Sequence, residues 1–373
     1  MQSGAWLPSS YHLNKVEIFS SRVSHNYKYL SAIDKQVSIA PVLKSNAYGH
    51  NIVAMAKILE LLSPPFLCVY SLPEAFELLK ANIKIPILIF GHINAKHLIG
   101  KKLPFSYAVY DTSLLQVINK YQPSAGVHIF VDTGMHREGI SLEKLSNFII
   151  QIKKYKNIKI EGLMSHFASG DKPNHVLTKK QIHNFLKAQE ICKQLKVTPK
   201  WIHIGASTAM MHYKNYIGKI GNMARVGIAL YGIDPENKNK QLKPVLRLTT
   251  TLSQIKTLSK GERVGYDFTF TAKKNMKLGV LPIGYYDGIN RKLSNKGFVY
   301  LNNTKCPIIG RVSMNITTVD ISKVKYPKIG QKVIIFSNEK NKENVISKIA
   351  VTSKTIPYEI LVNLAASIER VVL

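Results

Sequence analysis

The feature that most constrains this chain is an alternation running through its first two-thirds. Short apolar, strand-like runs occur at 38–43, 66–70, 86–90, 107–110, 127–131, 158–164, 201–204 and 223–230. Between them lie stretches with helical spacing, such as 52–62, 73–81, 113–121, 142–155 and 176–195. Consecutive parallel strands need a crossover helix, and strands buried on both faces read as continuous apolar runs. Eight such units predict an α/β fold, a (β/α)8 TIM barrel. After the polar segment DPENKNKQLKP the period changes to short alternating runs at 246–258, 278–282, 298–301, 306–309, 316–321 and 332–336. These predict a C-terminal, mostly-β domain. The expected division is 13–240 for the barrel, with 241–373 and the N-terminal segment 1–12 forming the β-rich domain. A last helical stretch is expected over 356–370, opening at Pro357, and Asn- and Lys-rich 338–344 reads as a surface loop.

Charge and cysteine usage narrow the function classes. The chain carries 52 Lys+Arg against 22 Asp+Glu, a net charge of +30. The basic residues are scattered, without an arginine-rich arm, zinc-finger spacing or RNA-binding aromatic signature. This favours an enzyme with an anionic substrate over a nucleic-acid binder. Cys68, Cys192 and Cys306 form no CxxC pair, which fits a reducing, cytoplasmic compartment and predicts no metal site. The opening MQSGAWLPSSYHLNKVEIF lacks a continuous apolar core, so no signal peptide is expected. No run approaches the 18 or so apolar residues that a membrane span needs.

The candidates for chemistry fall at the ends of the predicted strands, where a barrel places its active site. Lys44 ends the first strand in PVLKSNAYGHN, and Tyr48 is read as standing where the next helix begins, a seat for phosphate. A strand-end lysine beside such a seat suggests a Schiff base with pyridoxal 5'-phosphate. Asp132 and Arg137 follow the fifth strand, His166 and Asp171 the sixth, and Ser207 the seventh. Arg225 and Gly227 end the eighth.

PVLKSNAYGHN, VDTGMHR, SHFA, ARVGIALYG, GYDFTFTA, PIGYYDGINR and GRVSMN together resemble, in order and spacing, the motifs of the alanine racemases. The likeness runs from about residue 15 to Tyr358. It implies a pyridoxal-phosphate enzyme with a barrel and a β-domain, and a head-to-tail homodimer in which each β-domain completes the partner's active site. By that resemblance Lys44 holds the cofactor and Arg225 faces its pyridine nitrogen. Tyr48, Ser207, Gly227, Ile228 and Tyr358 would cradle the phosphate, and His166 would contact Arg225. Lys44 would serve the D face of the substrate and Tyr266 of a partner subunit the L face. Arg137 and the backbone N–H of Met314 would take the substrate carboxylate, and Tyr285 with Tyr358 would form a narrow gate. An ordinary phenol is only ~0.1% ionised at pH 7, so Tyr266 requires cations close by.

The resemblance implies interconversion of L- and D-alanine supplying peptidoglycan; the scattered charge and the lack of long apolar runs lead to an expectation of no nucleic-acid or membrane partner. A broader-specificity amino-acid racemase of the same fold is the alternative. Two positions depart from the family pattern. Phe130 stands where many members carry a carbamylated lysine that holds the arginine, and Asn315 where many carry Asp. Arg137 is therefore expected to be held differently, by Glu138 or by a bound anion such as chloride.

Overall fold

A computed structural model describes residues 12–213 and 217–373. Residues 1–11 of the segment assigned above to the β-rich domain lie outside the described residues. The chain forms two compact units, one of Val23–Ala47 and Ile52–Leu242, the other of residues 12–22, Tyr48–Asn51 and Lys243–Leu373.

The first unit is the (β/α)8 barrel. Its eight parallel strands are Ser38–Pro41, Leu67–Val69, Ile87–Ile89, Phe105–Val109, Ala125–Asp132, Ile158–Met164, Trp201–His203 and Met223–Val226. The second to seventh pair in sequence order. The eighth pairs the first, with Arg225 opposite Ala40. A Val42–Cys68 bridge and the bonds Asn222 N–H to Ile202 O and Arg225 N–H to Gly205 O complete the ring. Closure leaves no strand edge for another chain to pair with.

Leu67, Val69, Leu88, Ile89, Val127 and Ile129 are fully buried in these strands, and each such burial is worth about 1.5–3 kcal/mol. Helices Ile52–Glu60, Leu72–Lys80, Thr112–Tyr121, Leu142–Lys153 and Val176–Gln194 follow the first, second, fourth, fifth and sixth strands. The third is followed only by the 3-10 turn Ala95–Leu98. Local chemistry sets several helix starts: Asp111 accepts Leu114 N–H at 2.8 Å, and Glu74 accepts the Tyr70 and Ser71 amides at 2.9 and 3.1 Å. Helix Ser20–Ile33 escaped the pattern reading because Asn26 interrupts the apolar stripe of Val23 and Leu30. Asn26 is buried and satisfied, donating to Leu230 O at 3.0 Å.

The second unit is strand-rich. A six-stranded sheet runs Thr304–Pro307, Phe298–Leu301, Lys332–Phe336, Leu246–Thr251, Lys15–Ile18, Glu369–Val372, and a three-stranded sheet joins Gln254–Leu258, Met276–Leu281 and Thr317–Asp320. Lys15–Ile18, numbered within the expected barrel, lies in this sheet between strands from the far end of the chain. The expected terminal helix is cut short. Helix Pro357–Val362 is followed by strand Glu369–Val372, because Lys15–Ile18 offers an edge that Val371 and Val372 suit. The 338–344 stretch is a loop, but its ends are anchored: Asn338 and Asn344 are buried, and Asn344 donates to Ile334 O and Ile335 O. No helix among the described residues is long and apolar enough to cross a membrane.

Candidate active site

The first barrel strand hands over to Lys44 under tight control. Val42 N–H bonds Val226 O at 2.9 Å, and Leu43 N–H bonds Cys68 O at 2.8 Å. Lys44 leaves the barrel rim half-buried, its Nζ 5.8 Å from the centre of the Phe90 ring. The backbone then turns the unfavourable way for L-residues: Ser45, Asn46, Ala47 and Tyr48 have φ of 55, 53, 52 and 54°. Each left-handed residue costs roughly 1–2 kcal/mol, so neighbours must hold the turn. Ser45 N–H donates to Glu74 Oε1 at 2.6 Å, and Ala47 N–H to Leu43 O at 2.8 Å. Ile52 N–H donates to Asn46 Oδ1 at 2.8 Å. That last bond corrects the reading of Tyr48 as the start of a helix: Asn46 caps it, and the helix opens at Ile52. Backbone strain of this kind concentrates at ligand sites.

Arg225 is the fixed point of the barrel rim. It is 5% exposed. Its Nη1 donates to His203 Nδ1 at 2.5 Å and to His203 O at 3.2 Å, its Nη2 to Ser165 O at 2.6 Å and His166 Nδ1 at 3.1 Å. Among the described residues its four Nη hydrogens thus have acceptors, and the Nε–H is left for a ligand. Burial, and then Arg137, push its pKa down to about 10, so it stays charged at neutral pH. Because guanidinium has no acceptor, His166 Nδ1 must be bare. Burial, then Arg225, Arg137 and Lys44, push His166 down to about 3, so its ring is neutral.

Lys44 is lowered by burial first and then by Arg137. Glu74 and Glu138 oppose this, and Arg225 adds to it. Arg137 Nε lies 3.7 Å from Glu138 Oε2, the first of the two holders expected for it. Phe130 is buried with Ala108 and Met164, beside Phe90 and Tyr110. Ser207 is buried and accepts the amides of Gly227 at 3.0 Å and Ala229 at 3.3 Å. These amides open the turn that contains buried Ile228. The barrel unit therefore gathers Lys44, Arg137, His166, Ser207, Arg225, Gly227 and Ile228.

The second unit carries Tyr266, Tyr285, Met314 and Tyr358, and takes in Tyr48. The Tyr48 and Tyr358 rings lie 6.1 Å apart at 45°, and burial followed by Tyr358 raises the Tyr48 phenol. Gly49, at φ 77°, admits no side chain: a Cβ there would stand 2.3 Å from Leu361 O. Tyr266 is 68% exposed in a short turn after Gly265, and the next residue, Asp267, pairs with Arg311 at 2.9 Å. Tyr285 N–H bonds Ser313 O at 3.0 Å and Tyr286 N–H bonds Met314 O at 2.9 Å. This unit leaves the side chains of Tyr266, Phe268, Tyr285, Tyr286, Met314 and Ile316 exposed to solvent.

Motif reading missed His203, His128, Glu74 and Asn46. For the two histidines a signal existed, since each interrupts an otherwise apolar strand core. For Glu74 and Asn46 there was none, because their partners are set by the left-handed turn. Three cations (Lys44, Arg137 and Arg225) around a neutral imidazole make a donor set suited to a small molecule bearing phosphate and carboxylate.

Comparison with known proteins agrees over most of the chain. The family model of the alanine racemase N-terminal domain matches residues 18–235, and that of the C-terminal domain matches 245–372. An alanine racemase of Borreliella burgdorferi is 34% identical over 364 residues, covering 94% of this chain and 95% of its own. Among solved structures, the alanine racemase of Clostridium difficile 630 superposes with a TM-score of 0.90 at 28% identity, covering 97% and 96%. That of Bartonella henselae, with covalently bound pyridoxal phosphate, gives 0.83 at 25% identity, covering 97% and 99%.

Proposed function

The chain belongs to the alanine racemase family and is an isomerase of amino acids; from that premise we propose how its residues divide the work. The reaction assigned is interconversion of L- and D-alanine with pyridoxal 5'-phosphate. The observation that carries the assignment is the cationic rim, where Arg225 is held by four acceptors with its Nε–H left over and the Lys44 ammonium is made a stronger acid by burial and two guanidiniums. Lys44, Tyr48, Ser207, Arg225, Gly227, Ile228 and Tyr358 would hold the cofactor, with His166 bracing Arg225. When bound, this group supplies the electron sink that lets an α-hydrogen leave as a proton.

Each residue's part follows from its chemistry. A lowered lysine pKa raises the fraction of neutral amine, the form that bonds a carbonyl carbon and accepts a proton at Nζ. Arg225 keeps its own proton, so a ring nitrogen held against its Nε–H would stay unprotonated and the sink it supplies would be weak. A weak sink favours prompt return of the proton, as racemisation requires. Inversion needs a second acid–base group on the opposite face: Lys44 Nζ serves the D face and a partner's Tyr266 Oη the L face. The large apolar side chains that the strand-rich unit leaves exposed, Tyr266 and Phe268 among them, support a covering subunit, since exposed apolar surface marks interaction sites. Arg137, steadied by Glu138, and Met314 N–H would take the substrate carboxylate, with Tyr285 and Tyr358 as the gate.

We assign the barrel unit, Val23–Ala47 and Ile52–Leu242, chiefly to cofactor binding, and the strand-rich unit, to which 13–22 belong, to completion of the partner's site. The enzyme is placed in the cytoplasm as a homodimer supplying D-alanine for peptidoglycan. Purified protein should show a visible cofactor band bleached by borohydride and should produce D-alanine in a coupled assay. Lys44→Ala should lose both. Retention of either defeats the assignment, and equal turnover of L-serine or L-lysine points to the broader-specificity racemase.

A further inference from the structure

A chain of polar groups leads from Arg225 into the barrel interior, away from the residues assigned to the reaction. His203 Nδ1 accepts from Arg225 Nη1 at 2.5 Å. A guanidinium cannot accept, so the proton of neutral His203 sits on Nε2 and is donated to His128 Nδ1, 2.8 Å away. His128 must then carry its own proton on Nε2, which faces Glu161 Oε2 at 3.7 Å. Glu161 is held in turn by Ser106 Oγ–H at 2.8 Å. Both imidazoles are completely buried, and His128 Nε2 has no hydrogen-bond partner within bonding distance. Burial keeps both rings neutral, pulling His203 far down and His128 down against the upward pull of Glu161.

The space for this chain is built. A Cβ at Gly162 would stand 2.1 Å from His128 Nδ1, and one at Gly126 would stand 2.1 Å from Glu161 Oε2 and 2.8 Å from Ser106 Oγ. Phe66 closes one side, its ring edge-on to His128 at 5.4 Å. Two glycines on adjacent strands therefore clear the positions that the imidazole and the carboxylate occupy. Meanwhile Arg225 has no carboxylate in contact among the described residues, an expensive situation for a buried cation.

We propose that Glu161, acting through His128 and His203, is a positioning residue for Arg225: its carboxylate fixes which nitrogen of each imidazole carries the proton, so that Arg225 Nη1 always meets a bare His203 Nδ1. Reversing either tautomer would set two N–H groups against each other and swing the guanidinium. The consequence for catalysis rests on the reading that Arg225 faces the cofactor's ring nitrogen, whereas the proton arrangement does not.

The test uses the full chain labelled with 15N-histidine, recorded without cofactor by long-range 1H–15N correlation, and the same proteins loaded with pyridoxal phosphate. In the parent protein His128 and His203 should each show a protonated Nε2 and a bare Nδ1. Glu161→Ala should lose that single arrangement, and Glu161→Gln, which keeps an acceptor oxygen, should restore it. In the loaded enzymes Glu161→Ala should shift the cofactor's visible band and lower kcat about tenfold with KM nearly unchanged, in line with the loss caused by removing outer partners of functional groups. Glu161→Gln should recover most of it. Unaltered imidazole signals in Glu161→Ala would overturn the relay whatever the activity. A parent protein that binds no cofactor would instead defeat the proposed function, and the nitrogen signals would still decide the relay.

Discussion

Acid should destabilise this protein in a way traceable to one ring. His166 is held near 3 in the fold, against an ordinary value of 6.5, by burial and by the charges of Arg225, Arg137 and Lys44. A histidine whose folded pKa is depressed leaves the unfolded chain binding the extra proton. The stability it contributes is full above about 6.5 and is lost as pH falls toward 3. Integrating the linkage between these values gives a loss of about 1.4 kcal/mol at pH 5.5 and about 2.7 kcal/mol at pH 4.5. The comparison is the parent protein against His166→Gln, which keeps an acceptor for Arg225 Nη2 but does not titrate. Urea unfolding at pH 7, 5.5 and 4.5, at one protein concentration, isolates the ring because all other groups titrate in both proteins. The parent should lose roughly 2–3 kcal/mol more than the variant between pH 7 and 4.5. Parallel losses, within about 0.5 kcal/mol of each other, would refute a neutral His166 pressed against Arg225.

Three further outcomes follow from the geometry. Gly49→Ala must accept both φ 77° and a Cβ 2.3 Å from Leu361 O, so urea unfolding should show a loss of about 2–5 kcal/mol. Asn46→Ala removes the acceptor of Ile52 N–H and should cost about 1 kcal/mol, with a weaker affinity for added pyridoxal phosphate in the same titration. Tyr266→Phe should slow α-proton exchange from L-alanine much more than from D-alanine, and equal slowing would contradict the division of faces.

What was legible in the sequence is what depends on local pattern. All eight barrel strands were visible because each has a largely apolar run, broken only by single polar residues such as His128, Glu161 and His203, and the rim residues stood at their ends. Element ends were less visible: the eighth strand stops at Val226 rather than running on to 230, because Gly227 opens a tight turn whose residues are equally apolar. The terminal helix was over-read because Glu369–Val372 finds its strand partner some 350 residues earlier, at Lys15–Ile18, a pairing that no window of sequence contains. At the site, Lys44 and Arg225 were found from their strand positions, whereas the left-handed turn at 45–48 leans on Glu74 of a later helix and the arrangement around Glu161 depends on contacts between strands. Ser and Ala are poor signals for positive φ, and a partly buried carboxylate reads in sequence like any surface one.

The central claim is that each site takes Lys44 from one subunit and Tyr266 from the other, and mixing two dead proteins tests it most directly. Lys44→Ala and Tyr266→Phe chains, unfolded together and refolded in equal amounts, should form mixed dimers in which one of the two sites carries both native groups. With random pairing, racemisation should return to about a quarter of the parent's rate. If the mixture is no more active than the two variants refolded apart, while mixed dimers are present, both groups belong to one chain's site and the account is wrong.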